Sequence, residues 1–155
     1  MSENLWCYPA TVVRVLDGDT VVFKLTREVS LDFGFRMIVK TSMSFEGSFR
    51  LVGLNAPEIH SKNKNEVAAG LVARQALINL LTSGTLVVES QKPSGPIEKD
   101  FYGRWLCLIK VTLPSGEVLD VAAKLISLGV VVPYDGKHAR LPWVDPGTSK
   151  EEHNG

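Results

Sequence analysis

The chain has 155 residues, of which 45% are hydrophobic and 22% are charged. This length and composition fit one globular domain with a hydrophobic core, and they exclude a chain that is disordered throughout. Seventeen lysine and arginine residues balance 17 aspartate and glutamate residues, so the formal charge is zero. Strong non-specific nucleic-acid binders usually carry a basic excess. Any contact with nucleic acid is therefore expected to be weak and confined to a local site.

Two features of the sequence concern its compartment. Cys7 and Cys107 lie far apart and belong to no cysteine-rich framework, which predicts neither a disulfide scaffold nor a metal knuckle. The N-terminus lacks a basic region followed by an apolar core, and no window approaches the ~18-residue apolar run of a membrane span. A cytosolic protein without a membrane partner is therefore expected.

The first half of the chain has the composition of β-strands. Two β-branched runs flank Asp17-Gly18-Asp19, a turn signal that predicts an antiparallel hairpin. A second turn is predicted at 45–47. Because a long segment separates Leu25 from Arg50, part of this second hairpin is expected to project beyond the core. The four predicted strands are 11–16, 20–25, 35–41 and 48–54.

The second half adds two strands and two helices. Apolar residues fall at helical spacing in the first helix, with Asn65 as the predicted N-cap and Gly84 just past its end. The second helix is capped by Asp120 and ended by Gly129. The predicted helices are 66–82 and 121–128, and the predicted strands are 86–91 and 104–113.

Strands, a helix inserted before the later strands and a closing helix fit a small five-stranded barrel of the oligonucleotide-binding type. The predicted class is therefore α+β with about two helices, although composition alone does not separate this barrel from other α+β folds. After Pro133 the chain carries further prolines and a charged end. This predicts one domain over 1–134, followed by an extended or disordered tail over 135–155.

Three short motifs carry charged side chains that suit one kind of chemistry. Asp17-Gly18-Asp19-Thr20 offers carboxylates that can hold a cation, the segment from Arg50 to Glu58 supplies a cation and a carboxylate, and Lys99 to Arg104 supplies a second arginine. A phosphoryl-transfer transition state spreads negative charge over non-bridging oxygens, so fixed positive charge and a base that orients water accelerate it. The set therefore points to hydrolysis of a phosphodiester.

Each motif taken alone also has a structural explanation. Asp17-Gly18-Asp19 is most often a tight turn in which the glycine supplies a positive φ and the aspartate side chains face solvent. Arg50 and Glu58 fit a surface ion pair worth ~0–1 kcal/mol. Arg104 fits an arginine that stacks on an aromatic ring. The ordered occurrence of all three motifs favours a functional site.

The motifs resemble those of the staphylococcal nuclease (thermonuclease) family over roughly residues 10–134. Four matches occur in the family's order, with an amphipathic helix between the second and the third. The longer hairpin before Arg50 resembles a phage or bacterial branch of the family, and the family's C-terminal helix is expected to be absent. The four matches are Asp17 to Val21, Arg50 to Glu58, Asp100 to Arg104, and Leu128-Gly129.

The resemblance implies catalytic roles for three residues. Arg50 and Arg104 would bind the scissile phosphate, and Glu58 would activate or orient the attacking water. The implied activity is calcium-dependent hydrolysis of DNA and RNA, preferably single-stranded, with little sequence preference and with 3′-phosphate ends. A monomer is expected. Contacts to the nucleotide would come from Lys99, Tyr102 and Tyr134.

The implied calcium site departs from that of the best-known family member at one position. Its ligands would be Asp19, Asn55 and the backbone carbonyl of Ala56, with Asp17 beside the metal. Asn55 stands where the best-known member has an aspartate, which keeps an oxygen ligand but removes one negative charge. A lower calcium affinity is therefore expected, and whether calcium or another divalent ion binds stays open.

Two other functions fit the same residues. One is a degenerate domain of this fold that binds nucleic acid or protein without cleavage, but such domains typically lose the arginines or the glutamate, whereas Arg50, Glu58 and Arg104 are all present. The other is a barrel that only binds oligonucleotides, which predicts exposed aromatic residues and a basic groove. The zero net charge disfavours the second alternative, and the nuclease is favoured over both.

Overall fold

The computed structural model describes residues 7–90, 98–100, 103–135 and 143. It contains a closed five-stranded β-barrel and two helices, an α+β arrangement like that of the oligonucleotide-binding fold. The predicted fold class is thus confirmed. The predicted tail over 135–155 and the predicted absence of a C-terminal helix fall almost wholly outside the described residues.

The barrel strands follow the order β3, β2, β1, β5 and β6, and a parallel pairing of β3 with β6 closes the ring. β7 extends the sheet beside β6, and β4 pairs with β8. Within the described residues, neither helix combines the length and the apolar composition needed to cross a lipid bilayer. The elements in chain order are β1 (Cys7–Asp17), β2 (Thr20–Asp32), β3 (Ile38–Leu51), β4 (Leu54–Asn55), α1 (Lys64–Leu81), β5 (Thr85–Ser90), β6 (Trp105–Thr112), β7 (Val118–Asp120), α2 (Val121–Ser127) and β8 (Val132–Pro133).

The core lies inside the barrel and beneath helix α1. Phe23 of β2 and Phe49 of β3 are fully buried and pack edge to face, with ring centroids 5.7 Å apart. Alternate residues of β6 point into the same interior, as the two-residue period of a strand requires. Helix α1 buries one face against the barrel, through Gly70, Ala73, Leu77, Leu80 and Leu81.

Both helices are present close to their predicted bounds. Asn63, rather than Asn65, caps α1, because its backbone is extended and its side-chain oxygen accepts a hydrogen bond from the Asn65 N–H at 2.9 Å. Gly84 follows α1 as predicted, and a Cβ there would lie 2.0 Å from a backbone carbonyl oxygen of β6. Asp120 caps α2 as predicted, and Gly129 follows that helix with φ 74°.

The long hairpin of β2 and β3 corrects two predictions: the turn at 45–47, and the division of β3 into separate strands at 35–41 and 48–54. The chain does not turn at 45–47, because β3 runs unbroken through this segment and pairs with β2 over 13 residue pairs. The turn lies at 33–37, where Gly34 and Arg36 have φ values of 78° and 61°. Gly47 lies within the strand. Glycine suits this position because a Cβ on residue 47 would lie 2.8 Å from the Phe45 ring.

The outer part of this hairpin lies beyond the barrel. Every residue from 30 to 46 is exposed to solvent. The prediction that part of the hairpin projects beyond the core is therefore confirmed. The other end of β3, near Arg50, is built into the barrel and carries part of the candidate site.

Candidate active site

The turn between β1 and β2 forms the floor of the site. Asp17 pairs with Thr20, and the two residues between them form the loop of the predicted hairpin. The sequence suggested that Gly18 supplies a positive φ in this turn, but its φ lies outside the positive region, so backbone conformation does not require glycine here. Instead, a Cβ on Gly18 would lie 2.7 Å from the Ala73 side chain of α1 and 2.9 Å from that of Ala56. Glycine is required here for close packing.

Asp19 is buried, which corrects the expectation that its side chain faces solvent. Only 4% of the residue is exposed. Its carboxylate accepts hydrogen bonds from the Thr20 hydroxyl at 2.9 Å, from the Ala56 N–H at 3.0 Å and from Arg50 Nη1 at 3.2 Å. A buried carboxylate is tolerated when it is paired and hydrogen-bonded. These three donors meet that requirement and tie the turn to β3 and to the segment after β4.

Arg50 lies between two of the predicted metal ligands. Its Nη1 donates to Asp19, while its Nη2 donates to the side-chain oxygen of Asn55 and to the Leu54 carbonyl at 3.3 Å. Asn55 is itself buried, and its strand β4 is held in place by the pairing with β8. The Arg50 guanidinium therefore donates to Asp19 through one nitrogen and to Asn55 and Leu54 through the other.

Arg50 contacts both of the predicted side-chain ligands of calcium. Calcium takes six to eight oxygen ligands, whereas the two predicted side-chain ligands, Asp19 and Asn55, both direct an oxygen at Arg50. Among the residues that the structure describes, no three or more His, Cys, Asp or Glu side chains are grouped to hold a metal ion. The positive charge between Asp19 and Asn55 is supplied by Arg50.

Arg104 is fixed by a carboxylate from its own loop. Asp100 Oδ2 accepts from Arg104 Nε at 2.8 Å, and Oδ1 accepts from the Arg104 backbone N–H at 2.9 Å. Gly103, with φ 79°, allows the tight turn that brings the two residues together. The sequence also allowed Arg104 to stack on an aromatic ring; among the described residues, the cation over the Trp105 ring is Lys99, 4.5 Å from its centroid.

A chain of hydrogen bonds joins the two arginines. Arg104 Nη1 donates to Thr20 Oγ1 at 3.3 Å, the Thr20 hydroxyl donates to Asp19 at 2.9 Å, and Asp19 accepts from Arg50. The Arg50 side chain is 15% exposed and that of Arg104 is 25% exposed, so both are largely buried. Sequence reasoning gave no role to Thr20 or Asp100, although both belong to the motifs that it singled out.

Glu58 lies at the same end of the barrel and is exposed. Its backbone N–H donates to the carboxylate of Glu66 at 3.1 Å, so the first turn of α1 holds this segment. Gly70 of α1 approaches it closely, since a Cβ on Gly70 would lie 2.8 Å from the Pro57 carbonyl oxygen. The sequence contained no signal for Glu66 beyond its place in the first helical turn.

One cleft of about 960 Å³ brings most of the predicted site together. Of the ten predicted residues, Lys99 is not among the described residues that line it, and Tyr102 lies outside the described part of the chain. His60, to which sequence reasoning gave no role, lines it as well. The eight predicted residues in the cleft are Asp17, Asp19, Arg50, Asn55, Ala56, Glu58, Arg104 and Tyr134.

Carboxylates crowd one end of this cleft. Burial raises the pKa of the Asp17 carboxyl, and repulsion from Asp19 raises it further. His60 and Arg104 lower that pKa, while Glu58 raises it. A carboxyl group whose pKa is shifted by burial and by charged neighbours in a cleft is typical of a functional site.

Comparison with models of protein families finds no match, and comparison with curated proteins finds none either. The resemblance to the nuclease family therefore rests on the four motifs in the sequence. The structure adds that three of these motifs, far apart in the chain, converge on one cleft.

Proposed function

We propose that this protein hydrolyses phosphodiester bonds in single-stranded DNA and RNA with little sequence preference. One observation supports it most: Arg50 and Arg104 line one cleft, and each is fixed by a carboxylate, Asp19 for the first and Asp100 for the second. The planar fork of a guanidinium matches the oxygens of a phosphate group. Two such groups, joined through Thr20, suit one phosphodiester.

The reaction also needs a group that orients water. Two exposed carboxylates line the same cleft, Glu58 and Asp135, and the resemblance to the nuclease family gives this role to Glu58. In the proposed reaction Glu58 accepts a proton from the attacking water while the water oxygen bonds to phosphorus. The bond to the 5′ oxygen breaks, that oxygen takes up a proton, and a 3′-phosphate end remains. Arg50 and Arg104 stabilise the charge that develops on the non-bridging oxygens.

Calcium dependence is implied by the resemblance and is a separate part of the proposal. Because Asp19 and Asn55 bind Arg50, no step is assigned to a metal. The same contacts favour the alternative function, a domain that binds nucleic acid without cutting it. Against that alternative, Arg50, Glu58 and Arg104 are all present and line one cleft.

A nuclease assay on denatured DNA tests the proposal, with calcium, magnesium, manganese and a chelator in parallel. The parent should cleave and leave 3′-phosphate ends. Arg50→Ala and Arg104→Ala should each lower turnover by on the order of 10²-fold, the cost of removing one preorganised donor. Arg14→Ala is the matched control, since Arg14 is an exposed arginine of β1 and is not among the described residues that line the cleft.

Two outcomes would change the assignment. A folded parent that binds the oligonucleotide but cuts it under none of these conditions supports the non-cleaving alternative. Equal turnover in the parent and all three variants would show that the arginines do not act on the chemical step.

A further inference from the structure

The outer part of the β2–β3 hairpin, residues 26–44, forms a two-stranded ribbon that we call the arm. β1 pairs with β2 only as far as Leu25, and β3 pairs with β6 only over its last three residues. Within the described residues, no third strand pairs with either edge of the arm, and near its root the Arg27 guanidinium lies 4.7 Å from the centroid of the Tyr8 ring. An isolated two-stranded hairpin is marginally stable at best in water. We therefore expect an arm of this length to be stabilised by packing against another surface.

The arm has one apolar face and one polar face. Residues directly opposite each other in an antiparallel pair share a face, and successive pairs alternate between faces. The first face continues the inward-facing pair Leu25↔Phe45 and holds Arg27↔Met43, Val29↔Thr41 and Leu31↔Val39. The second face holds Thr26↔Ser44, Glu28↔Ser42, Ser30↔Lys40 and Asp32↔Ile38. The register thus separates a mostly apolar face from a mostly polar one, with Arg27 as an exception on the first and Ile38 on the second.

The apolar face continues the interior surface of the barrel into solvent. Leu25 at its root is buried, whereas Phe45 opposite is 49% exposed and Met43 is 65% exposed. The tip adds Phe35, which at 82% is the most exposed large hydrophobic residue in the described part of the chain. The large apolar side chains of this face and of the tip that are at least 40% exposed are Leu31, Phe33, Phe35, Met37, Val39, Met43 and Phe45.

The exposed apolar area is large enough for a stable interface. Monomers rarely expose a contiguous apolar patch larger than roughly 300–600 Å². At roughly 100 Å² each, about half the area that an aromatic side chain buries, these seven residues present an area on the order of 700 Å². Each partner in a stable complex buries about that much surface.

We propose that a second copy of this chain covers the apolar face, so that two arms pack face to face in a dimer. The formal charge of the chain is zero, so two copies do not repel each other. In a two-fold dimer the same patch of each partner forms the interface. The apolar face of one arm can therefore pack against the apolar face of the other. An anionic membrane instead selects basic segments, whereas the arm carries both signs, including Glu28, Asp32 and Lys40. This proposal is independent of the proposed function.

Sedimentation velocity of the full chain over the micromolar range tests the dimer. Met43→Lys introduces a charge on the apolar face, and Ser42→Lys introduces the same charge on the polar face one residue away, at a position that is also exposed. The parent and Ser42→Lys should be dimeric. Met43→Lys should weaken association by roughly 10-fold or more, because its ammonium group would be buried without a partner. Leu31→Lys with its control Ser30→Lys repeats the comparison on β2.

Circular dichroism and the thermal midpoint of each variant check that the fold is intact. A parent that stays monomeric over the whole range would overturn the proposal, as would equal dissociation of the apolar-face and polar-face variants. The parent is also mixed with vesicles of phosphatidylcholine and phosphatidylserine. A monomeric parent that binds them through the apolar face would assign the arm to lipid and overturn the dimer.

Discussion

Asp19 and Arg50, which both line the cleft, form an ion pair that joins the β1–β2 turn to β3, with Oδ2 3.2 Å from Nη1. The two side chains are 5% and 15% exposed, so little solvent screens them. The contact neutralises a buried carboxylate and at the same time orients a guanidinium that lines the cleft. Through this pair, the stability of the barrel and the charge of the candidate site depend on each other.

Asp19→Ala should therefore destabilise the fold rather than leave it unchanged. Removing one partner of a buried pair leaves the other charge uncompensated, and about 3 kcal/mol is the expected loss in the free energy of unfolding. The Ala56 N–H also loses its acceptor. Urea unfolding measures the loss, with Glu28→Ala as an exposed control that should stay within about 0.5 kcal/mol of the parent. An Asp19→Ala variant as stable as that control would make Asp19 a dispensable turn residue.

Asp100 is expected to act as a positioning residue for Arg104. Asp100→Asn keeps the shape of the side chain but weakens its hold on Arg104 Nε, so the guanidinium loses its fixed orientation. Turnover should fall by roughly 10-fold with a smaller change in KM, because orientation matters most in the transition state. Glu89→Gln is the matched control, since Glu89 forms an ion pair with Lys110, and neither is among the described residues that line the cleft. Equal effects of the two changes would point to stability rather than positioning.

The elements that local chemistry determines were predictable from the sequence. The Asp17 to Thr20 hairpin, the cap at Asp120 and the helix α1 all follow from short patterns that the structure reproduces. The unbroken strand β3 was not predictable, because Gly47 resembles a turn residue until the Phe45 ring is placed beside it. The pairing of β4 with β8 covers only two residues of each strand, too few to leave a pattern.

The membership of the candidate site was also largely predictable, whereas its internal contacts were not. The resemblance to the nuclease family led to eight residues that do line one cleft. The burial of Asp19, by contrast, depends on Ala56 and Ala73, which approach Gly18 from distant parts of the chain. The place of Arg50 between Asp19 and Asn55 depends on side-chain orientation, which residue type and spacing do not specify.

The stability of the protein should depend on pH through Asp17. Burial and the neighbouring Asp19 raise the pKa of the Asp17 carboxyl, so the folded state holds this proton more tightly than the unfolded chain does. Stability therefore falls as pH rises from the usual aspartate pKa of about 4 through the raised value. Asp17→Asn removes this titration, and the variant should be more stable than the parent at neutral pH.

Urea unfolding of parent and Asp17→Asn across the acidic range measures this difference. It should shrink as the pH falls below the usual aspartate pKa, where Asp17 is protonated in both states of the parent. Glu117→Gln, at an exposed position in the turn before β7, controls for the loss of a surface carboxylate. A difference that widens on acidification would reverse the sign of the inferred pKa shift.

Asn55→Asp should increase the affinity for calcium, because it restores a second carboxylate beside Asp19. Ligand charge helps to set calcium affinity, and two carboxylates facing Arg50 would leave a negative charge that one guanidinium does not neutralise. The unfolding midpoint, measured with calcium and with a chelator, reports binding without any need for activity. An ion that binds only the folded state stabilises it by about 1.4 kcal/mol when present at roughly ten times its Kd.

The midpoint of Asn55→Asp should rise with calcium, and that of the parent should rise less, because Arg50 occupies Asp19 and Asn55. Asn65→Asp makes the same exchange at an exposed position in the first turn of α1, and calcium should not affect its midpoint more than that of the parent. If the parent responds to calcium as strongly as Asn55→Asp does, Arg50 yields these oxygens to a metal, and the cleft holds the calcium site that the motifs predict.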